Sequence, residues 1–305
     1  SVVLPDGSAL ANFEDQGLVK LDVCGDVLWT VPNTHHSIDV TSRNTYWVPG
    51  YRYVQGNWKT IAGPFREEFL LEIGADGTII NQLSILDVLF QNHLHALLFA
   101  NGWRDARVPI EGGNVDPTHV NDIEELDDNY SQNFPMFSPG DLLVSMRNIN
   151  LIIVVDPKSL VIKWYQTGPF LKQHDPDFDN LGAITGFNNN LDHAHGTNYG
   201  GSNILSINPN SREVTTLYPT ALDTNDQFPE FYSSIRGKHQ VLRDGRILIT
   251  EFDRGKVFMV NSAGELIFEY VNPANEKGNS TNKNYNISKA EVINIDYFEN
   301  SLECG

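Results

Sequence analysis

The sequence predicts an all-β protein, a six-bladed β-propeller closed by strands from both termini, in a single domain over residues 1–305. Helical periodicity is nearly absent, and the apolar runs are short, rich in β-branched and aromatic residues, and bounded by Gly, Asp and Asn. A strand-turn-strand unit also recurs at a spacing of about 40–70 residues, the range of propeller blades with loop insertions. The alternative is a two-sheet sandwich, which the regular repeat disfavours.

The recurring unit occurs five times. Each copy contains short strands joined by a turn, and one strand carries an aromatic residue. Such units cannot bury both faces alone, so they must stack on one another. We predict a sixth blade from the chain ends, in which a strand within residues 290–298 pairs with residues 1–12. The five copies begin at Gly17, Phe69, Asn150, Asn203 and Gly255.

Two segments interrupt this pattern. Apolar residues at helical spacing predict a short helical insertion near residues 85–99. Residues 112–138 are polar and acidic, with pairs such as Glu124-Glu125, and are predicted to form a solvent-exposed loop. A calcium loop is the alternative for this segment, although its acidic residues lack regular ligand spacing.

The charge of the chain excludes some partners. The net charge is −18, from 21 Lys and Arg against 39 Asp and Glu. Phosphate binding needs a basic surface, so a nucleic-acid partner is not expected, and anionic membranes are disfavoured as well. The sequence contains no run of about 18 apolar residues, the length that a transmembrane helix needs. An anionic small molecule remains compatible, since one Arg and several His can reverse the field in a pocket.

Three features predict a secreted or periplasmic protein. Residues 1–7 contain no Met and no signal-peptide pattern, as expected for the start of a processed chain. A Cys24–Cys304 disulfide would clasp a closed ring and contribute about 4–5 kcal/mol in the loop-entropy model; two free thiols are the alternative. The third feature is a set of N-glycosylation sequons, at Asn129, Asn279 and Asn286.

Histidines precede or open the first strand of several predicted blades. In a propeller, these positions line one mouth of the central channel, so their side chains are expected to converge. Converging imidazoles can bind a transition metal. Alternatively, one imidazole acts as a nucleophile while the others and an arginine hold an anion. The residues are His35, His36, His119, His174 and His239.

Arg147 and Asn121 favour the second use. A guanidinium beside histidines repels a metal ion, whereas its fork of donors suits sulfate or phosphate. Asn121 lies two residues after His119 and faces the same side if the segment is extended, where it would donate to a developing oxyanion. We therefore predict anion chemistry without a cofactor.

Several motifs, in this order, resemble those of the arylsulfotransferase family. The resemblance covers nearly the whole chain, from Leu4 to Tyr297, and implies a six-bladed propeller. It also implies transfer of a sulfuryl group from an aryl sulfate ester to a phenolic acceptor, through a sulfated histidine and without a nucleotide donor. The motifs are His119-Val120-Asn121, Leu142 to Arg147, Gln173-His174-Asp175, Gly182 to Asn189, and Lys238-His239-Gln240.

The same resemblance implies roles for individual residues. His174, from the Gln-His-Asp motif, would be the nucleophile. His36, with His35 as its partner, and His239 would polarise the phenolic oxygen or move its proton. The residues that would hold the sulfuryl oxygens are His119, Asn121 and Arg147, with Asn188 as a further substrate-binding residue.

The chain also departs from the family pattern. Asn188 stands where the family has Asp, and the loop from Asp122 to Gly140 is longer than usual. His193 and His195 form an additional pair, which leaves open a metal-dependent lyase or hydrolase. A non-catalytic secreted propeller that binds a sulfated glycan or a protein is the other alternative. Aromatic residues that would stack on an aryl substrate are Trp58, Trp103, Phe228, Phe231 and Tyr232. The oligomeric state is left open.

Overall fold

The computed structural model describes residues 1–59, 61–100, 115–192, 197–198, 201–220, 231–273 and 284–298. The chain divides into two compact units, one of residues 1–167 with 294–305 and the other of residues 168–293. Each unit is built mainly of four-stranded antiparallel sheets, which we call blades.

The first unit contains three blades, and each is formed by strands consecutive along the chain. Blade 1 contains β1 (Val2–Val3), β2 (Ala9–Phe13), β3 (Gly17–Leu21) and β4 (Val27–Pro32). Blade 2 contains β5 (Asp39–Val40), β6 (Tyr46–Val54), β7 (Phe65–Ile73) and β8 (Ile79–Ser84). Blade 3 contains β9 (Val120–Glu125), β10 (Leu142–Met146), β11 (Leu151–Val155) and β12 (Ile162–Thr167).

The second unit contains two further blades. Blade 4 contains β13 (His174–Phe178), β14 (Ile184–Asn188), β17 (Asn203–Ile207) and β18 (Val214–Tyr218). The two-stranded ribbon of β15 (Leu191–Asp192) and β16 (Thr197–Asn198) lies between β14 and β17 in the chain. Blade 5 contains β19 (Lys238–Val241), β20 (Ile247–Glu251), β21 (Lys256–Val260) and β22 (Leu266–Val271).

The helices are short and few. Among the described residues, all of them belong to the first unit, and their bounds are α1 (Ile85–Gln91), α2 (Leu97–Ala100), α3 (Asp128–Ser131) and a 3-10 turn (Arg147–Ile149). Helix α1 begins at Ser84, whose side chain accepts a hydrogen bond from the Asp87 N–H. Its apolar face packs into the same core as β10 and β11. The predicted helical insertion is therefore confirmed. No helix among the described residues is long and apolar enough to cross a membrane.

Burial varies with the position of a strand in its blade. Every residue of β7, β10 and β11 is buried, whereas β8 and β22 are largely exposed. Central strands therefore consist mainly of apolar residues, and outer strands do not need to. The Asp76-Gly77 turn joins β7 to β8, with Gly77 at φ +85°. A Cβ there would lie 2.8 Å from the Trp29 ring, so both conformation and space require glycine.

The all-β propeller class is confirmed, but the number of blades is five rather than six. The five recurring units of the sequence are the third and fourth strands of the five blades. The prediction of a sixth blade closed by both termini is wrong. All four strands of blade 1 come from residues 2–32, so this blade takes no strand from the C-terminal end.

Side chains, rather than a neighbouring strand, bind the backbone near the C-terminus. Gln240 accepts from the Val292 N–H at 2.7 Å and donates to the Val292 carbonyl at 3.2 Å. Thr250 accepts from the Ala290 N–H at 3.1 Å. Within the first unit, the Tyr297 hydroxyl donates to the Val3 carbonyl at 2.7 Å. These contacts use backbone groups that a strand would have paired with a sheet.

The acidic segment is more ordered than predicted. Residues 120–125 form β9, an edge strand of blade 3, so the loop prediction is wrong there. Glu125 explains the error, because its carboxylate accepts from Trp47 Nε1 at 2.8 Å and from Arg43 at 2.7 Å. These long-range partners satisfy a charge that the local sequence assigns to solvent.

Several other predictions are not tested by the described part of the chain. Cys24 is exposed, and Cys304 lies outside the described residues, so their disulfide stays a prediction. The same holds for glycosylation and for secretion, and the single domain over residues 1–305 also stays a prediction. His193, His195, Trp103 and Phe228 lie outside the residues or side chains that are described.

Candidate functional site

Three histidines come together in the first unit. His35 and His36 lie between β4 and β5, and His119 directly precedes β9. The His36 and His119 ring centroids are 4.8 Å apart, and those of His35 and His36 are 4.9 Å apart. We call His35, His36 and His119 the histidine cluster. The sequence predicted their convergence, and within the first unit it is observed.

Local backbone geometry explains how these rings meet. His36 and His119 have φ of +58° and +54°, an uncommon conformation that redirects the chain next to each strand. The His35 N–H donates to the Pro49 carbonyl at 3.0 Å. The Arg147 N–H donates to the His119 carbonyl at 3.0 Å, which joins the start of β9 to the end of β10. Arg147 is thereby attached to the histidine cluster through its backbone.

Asp116 holds His119 in place. Its carboxylate accepts from the His119 backbone N–H at 3.0 Å and contacts His119 Nδ1 at 2.5 Å. The Nδ1 atom must therefore carry a hydrogen. Burial opposes ionisation of Asp116, but the charges of His119 and Arg66 and the hydrogen bonds from His119 outweigh it, so the Asp116 pKa is lowered.

The other two members of the cluster are neutral. Burial is the main cause that lowers the pKa of His35, well below its usual value, and the Arg66 charge adds to it. Burial also lowers the pKa of His36, although the Glu14 carboxylate opposes the shift. Burial likewise lowers the pKa of Arg147, with the charge of Asp116 opposing.

Two buried charged residues of β7, Glu68 and Arg66, were not predicted as part of the site from the sequence. Glu68 Oε2 accepts from Thr118 Oγ1 and from the Val120 N–H, both at 2.6 Å. Burial, together with the charge of Asp116, raises the Glu68 pKa to about 8, while Arg66 acts in the opposite direction. The available signal was the run Arg66-Glu67-Glu68 inside a strand whose other residues, except Glu72, are apolar.

His174 has a defined tautomer in the second unit. The Asn189 side chain donates through Nδ2 to the carbonyls of Ser233 and Arg236, at 2.9 and 2.7 Å, so its Oδ1 must face the other way. This oxygen lies 2.6 Å from His174 Nδ1, and the Lys172 carbonyl lies 3.1 Å from the same nitrogen. Two acceptors therefore place the hydrogen on Nδ1.

The other nitrogen of His174 is consequently a lone-pair nitrogen. The Arg236 backbone N–H donates to Nε2 at 3.2 Å, a long hydrogen bond. A buried imidazole with its lone pair on Nε2 has the electronic form that a nucleophile needs.

His239 is held on both sides. Its Nδ1 lies 3.1 Å from Asp175 Oδ2, and its Nε2 lies 2.8 Å from Thr185 Oγ1. Asp175 also accepts from the His239 N–H at 2.6 Å and binds Lys238. Burial opposes ionisation of Asp175, but the Lys238 charge and the bonds from His239 outweigh it and strongly lower the Asp175 pKa.

The two asparagines differ from each other. Asn121 is buried on β9. Asn188 uses its side chain within blade 4, where Oδ1 accepts from the Leu171 and Asn190 N–H groups at 2.8 and 3.1 Å. Its Nδ2 donates to Asn203 Oδ1 at 3.1 Å. These bonds explain why an amide suits this position.

Two groups of residues that could bind a metal ion occur among the described residues. In each group, the donor atoms lie within 4.8 Å of one another. The groups are Glu14 with His35 and His36, and Asp175 with Asp177 and His239. In the second group, the bound Lys238 ammonium occupies a carboxylate oxygen and repels a cation. In the first group, the Arg66 charge acts on both imidazoles. Each environment therefore contains a cation that opposes the binding of a metal ion.

The described aromatic candidates pack against protein. Phe231 is buried, with its ring 5.4 Å from Phe187 and 5.6 Å from Phe258. The Trp58 ring lies edge-on to Phe90 at 5.3 Å. Tyr232 is anchored through its N–H to Glu251 at 2.9 Å.

Comparison with known proteins adds a family and a fold. Residues 1–273 match the family model described as Arylsulfotransferase (ASST). No relative with a curated function matches the chain by sequence. A solved protein of unknown function from Bacteroides caccae is 11% identical, with a TM-score of 0.54 over 88% of this chain and 78% of that one. Virginiamycin B lyase from Staphylococcus aureus is 12% identical, with a TM-score of 0.47 over 90% and 69% of the two chains. The likeness to the Bacteroides caccae protein concerns the fold alone.

Proposed function

The chain belongs to the arylsulfotransferase family, and we propose that it transfers a sulfuryl group from an aryl sulfate ester to a phenolic acceptor through a sulfated His174. One observation carries the choice of nucleophile. Asn189 Oδ1, 2.6 Å from His174 Nδ1, keeps the hydrogen on Nδ1 and the lone pair on Nε2. The family match makes small aryl compounds the expected substrates.

The proposed reaction has two steps. In the first, His174 Nε2 attacks the sulfur, an N–S bond forms, and the S–O bond to the aryl group breaks with its electron pair going to oxygen. In the second, the oxygen of the acceptor phenol attacks the sulfur and the N–S bond breaks. Attack requires the 3.2 Å contact from the Arg236 N–H to open, which its length makes easy. Asn189 stabilises the positive charge on the sulfated ring by accepting from Nδ1.

We assign the binding of sulfuryl oxygens to His119, Asn121 and Arg147, as the family motifs indicate. Asp116 supports this role because its contact with Nδ1 orients the His119 ring. Arg147 supplies planar donors that match sulfuryl oxygens. We leave Asn188 out of the binding set because the backbone and Asn203 already use both atoms of its amide.

His36 is assigned to the phenolic oxygen. Its neutral imidazole can both give and accept a proton near neutral pH. His239 has a weaker claim to this role, since Asp175 and Thr185 occupy both of its nitrogens. We assign His239 to holding Asp175 and β13 in position.

The test combines turnover with detection of the intermediate. Purified protein is incubated with p-nitrophenyl sulfate and phenol, and release of nitrophenol is followed by absorbance. Without acceptor, mass spectrometry under mild conditions is expected to find sulfate on His174. His174→Ala is expected to lower turnover by at least about 10³-fold, since the nucleophile is lost. His93→Asn, at an exposed position with φ +59°, is the matched control.

Two outcomes would contradict the proposal. Full turnover by His174→Ala excludes His174 as the nucleophile. Tight binding of the aryl sulfate without turnover or histidine sulfation favours the non-catalytic binding protein instead.

A further inference from the structure

Two buried polar atoms in the first unit face each other without a hydrogen-bond partner among the described residues. They are Glu68 Oε1 and His35 Nε2, 3.4 Å apart, on side chains with no exposed surface. Leaving both unsatisfied in a buried site is costly, and a single shared proton satisfies both.

The proton belongs on Glu68. Glu68 Oε2 already accepts from Thr118 and Val120, so Oε1 is the oxygen left to carry the hydrogen. Burial and the charge of Asp116 raise the Glu68 pKa to about 8, whereas burial keeps His35 neutral by lowering its pKa. Glu68 is therefore a carboxylic acid at neutral pH and donates to His35 Nε2.

This bond determines the tautomers that follow it. A His35 ring that accepts at Nε2 carries its hydrogen on Nδ1. His35 Nδ1 lies 2.7 Å from His36 Nδ1, so it donates to that atom. His36 then carries its own hydrogen on Nε2. Glu68, His35 and His36 thus form a chain of two hydrogen bonds.

We propose that Glu68, acting through His35 and His36, supplies the proton that the departing phenolic oxygen takes up and later recovers it from the acceptor phenol. The proposal rests on the proposed function, in which His36 serves the phenolic oxygen. Glu68 is a positioning and proton-storing residue, since it acts through the two imidazoles and does not touch substrate.

The proton count balances in each step. When the S–O bond breaks, the phenolic oxygen takes the proton from His36 Nε2. His36 Nδ1 then receives the proton from His35 Nδ1, and His35 Nε2 receives the proton from Glu68, which becomes a carboxylate. The acceptor phenol loses its proton to His36 Nε2 as it attacks, and the transfers run in reverse. The protein ends in its starting state.

The surrounding charges are compatible with the hydrogen-bond chain of Glu68, His35 and His36 both before and after the proton transfer. Arg66 Nη2 lies 3.5 Å from Glu68 Oε1 and stabilises the carboxylate, while Asp116 opposes it. Glu14 Oε1 lies 3.0 Å from His36 Nδ1 and accepts the hydrogen that arrives there. The remaining neighbours are the His119 ring, 4.8 Å from His36, and the Tyr51 ring, 5.8 Å from His35. The protonated and the ionised forms of Glu68 therefore both have partners in this site.

A leaving-group series tests the proposal. Nitrophenolate leaves without help, whereas unsubstituted phenolate needs a proton in the transition state. Glu68→Gln keeps the shape of the side chain and removes the transferable proton. Without an acceptor, we expect the single-turnover release of phenol from phenyl sulfate to fall about 10²-fold and that of nitrophenol from p-nitrophenyl sulfate to change less than about twofold. Glu67→Gln, the next residue of β7 and equally buried, is the matched control and is expected to treat both substrates like the unmodified protein.

A second variant makes the result independent of folding defects. His35→Gln breaks the same chain at its middle and is expected to show the same selectivity for leaving groups. The double variant should be no worse than either single one, since both act on one proton path. Equal losses on both substrates, or additive effects in the double variant, would overturn the relay. If the unmodified protein turns over no aryl sulfate at all, the proposed function itself fails.

Discussion

The histidine cluster of the first unit and the His174–His239 region of the second use similar residues in opposite ways. In the first, Glu68 is buried with its nearest cation 3.5 Å away, so its pKa rises to about 8 and it keeps its proton. In the second, Asp175 is equally buried but directly binds Lys238 and His239, so its pKa falls. Direct contact with a cation decides whether a buried carboxyl is an acid or an anion.

The imidazoles of the two regions also differ. His35 and His36 face each other through Nδ1, so the hydrogen on His35 Nδ1 can pass to His36 Nδ1. In the second unit, oxygen atoms surround the histidines, and Asn189 gives His174 a single tautomer. One region can therefore move protons, while the other keeps them in place, as a nucleophile and its support require.

The largest expected effect comes from removing Asn189, the residue that fixes the tautomer of His174. Asn189→Ala deletes the acceptor of His174 Nδ1–H and should lower turnover of p-nitrophenyl sulfate about 10²-fold, as for other wrongly tautomerised histidines. Nitrogen NMR of the imidazoles should show a part of the His174 population with hydrogen on Nε2, since only the Lys172 carbonyl, at 3.1 Å, then accepts from Nδ1. Asn203→Ala, another amide of blade 4, is the control. An unchanged tautomer in Asn189→Ala would contradict the role given to Asn189.

The second expected effect concerns stability. Asp175→Asn removes a buried anion from Lys238 and His239 and should lower the free energy of unfolding by about 2–3 kcal/mol. Chemical denaturation at pH 7 measures this loss. The native Asp175 contribution is present above the usual Asp pKa of 3.8 and is lost only as pH falls through its lowered folded value. A variant as stable as the unmodified protein would show that the contacts contribute nothing net.

The third effect concerns the pH dependence of stability that the Glu68 carboxyl contributes. Folded Glu68 keeps its proton up to about pH 8, whereas the unfolded side chain loses it near 4.5. Folding therefore binds a proton between these values, and stability falls as pH rises, by at most about 1.4 kcal/mol per pH unit from this group. Between pH 7 and 8, Glu68→Gln should flatten the slope by up to that amount, and Glu67→Gln should not. Equal slopes in all three proteins would mean that folded Glu68 is ionised.

The smallest effect sharpens the cause of the raised pKa. Asp116→Asn removes a negative charge that raises the Glu68 pKa, so this pKa should fall by about one unit or less. The carboxylic C=O stretch of Glu68, identified in infrared spectra by subtracting Glu68→Gln, reports the titration. A pKa that stays or rises would show that burial alone accounts for the shift.

The positions of the candidate residues in the fold were largely predictable, because their motifs are local in sequence, while their roles stay a prediction. His119, Asn121 and Arg147 stand at ends or edges of blade 3, as the motif order predicted. His174 opens β13, and His239 lies in β19. Glu68 was not found because its importance depends on Thr118, Asp116 and His35, which lie more than 30 residues away in the chain.

Sequence alone determined the all-β class, the five strand-turn-strand units and the helical insertion, because strand and helix periodicity and turn chemistry act over a few residues. Only the tertiary structure decided that blade 1 needs no strand from the C-terminal end, that Glu68 is an acid and that His174 has its lone pair on Nε2. Each of these depends on which distant groups supply hydrogen bonds and charges, and no local pattern specifies that.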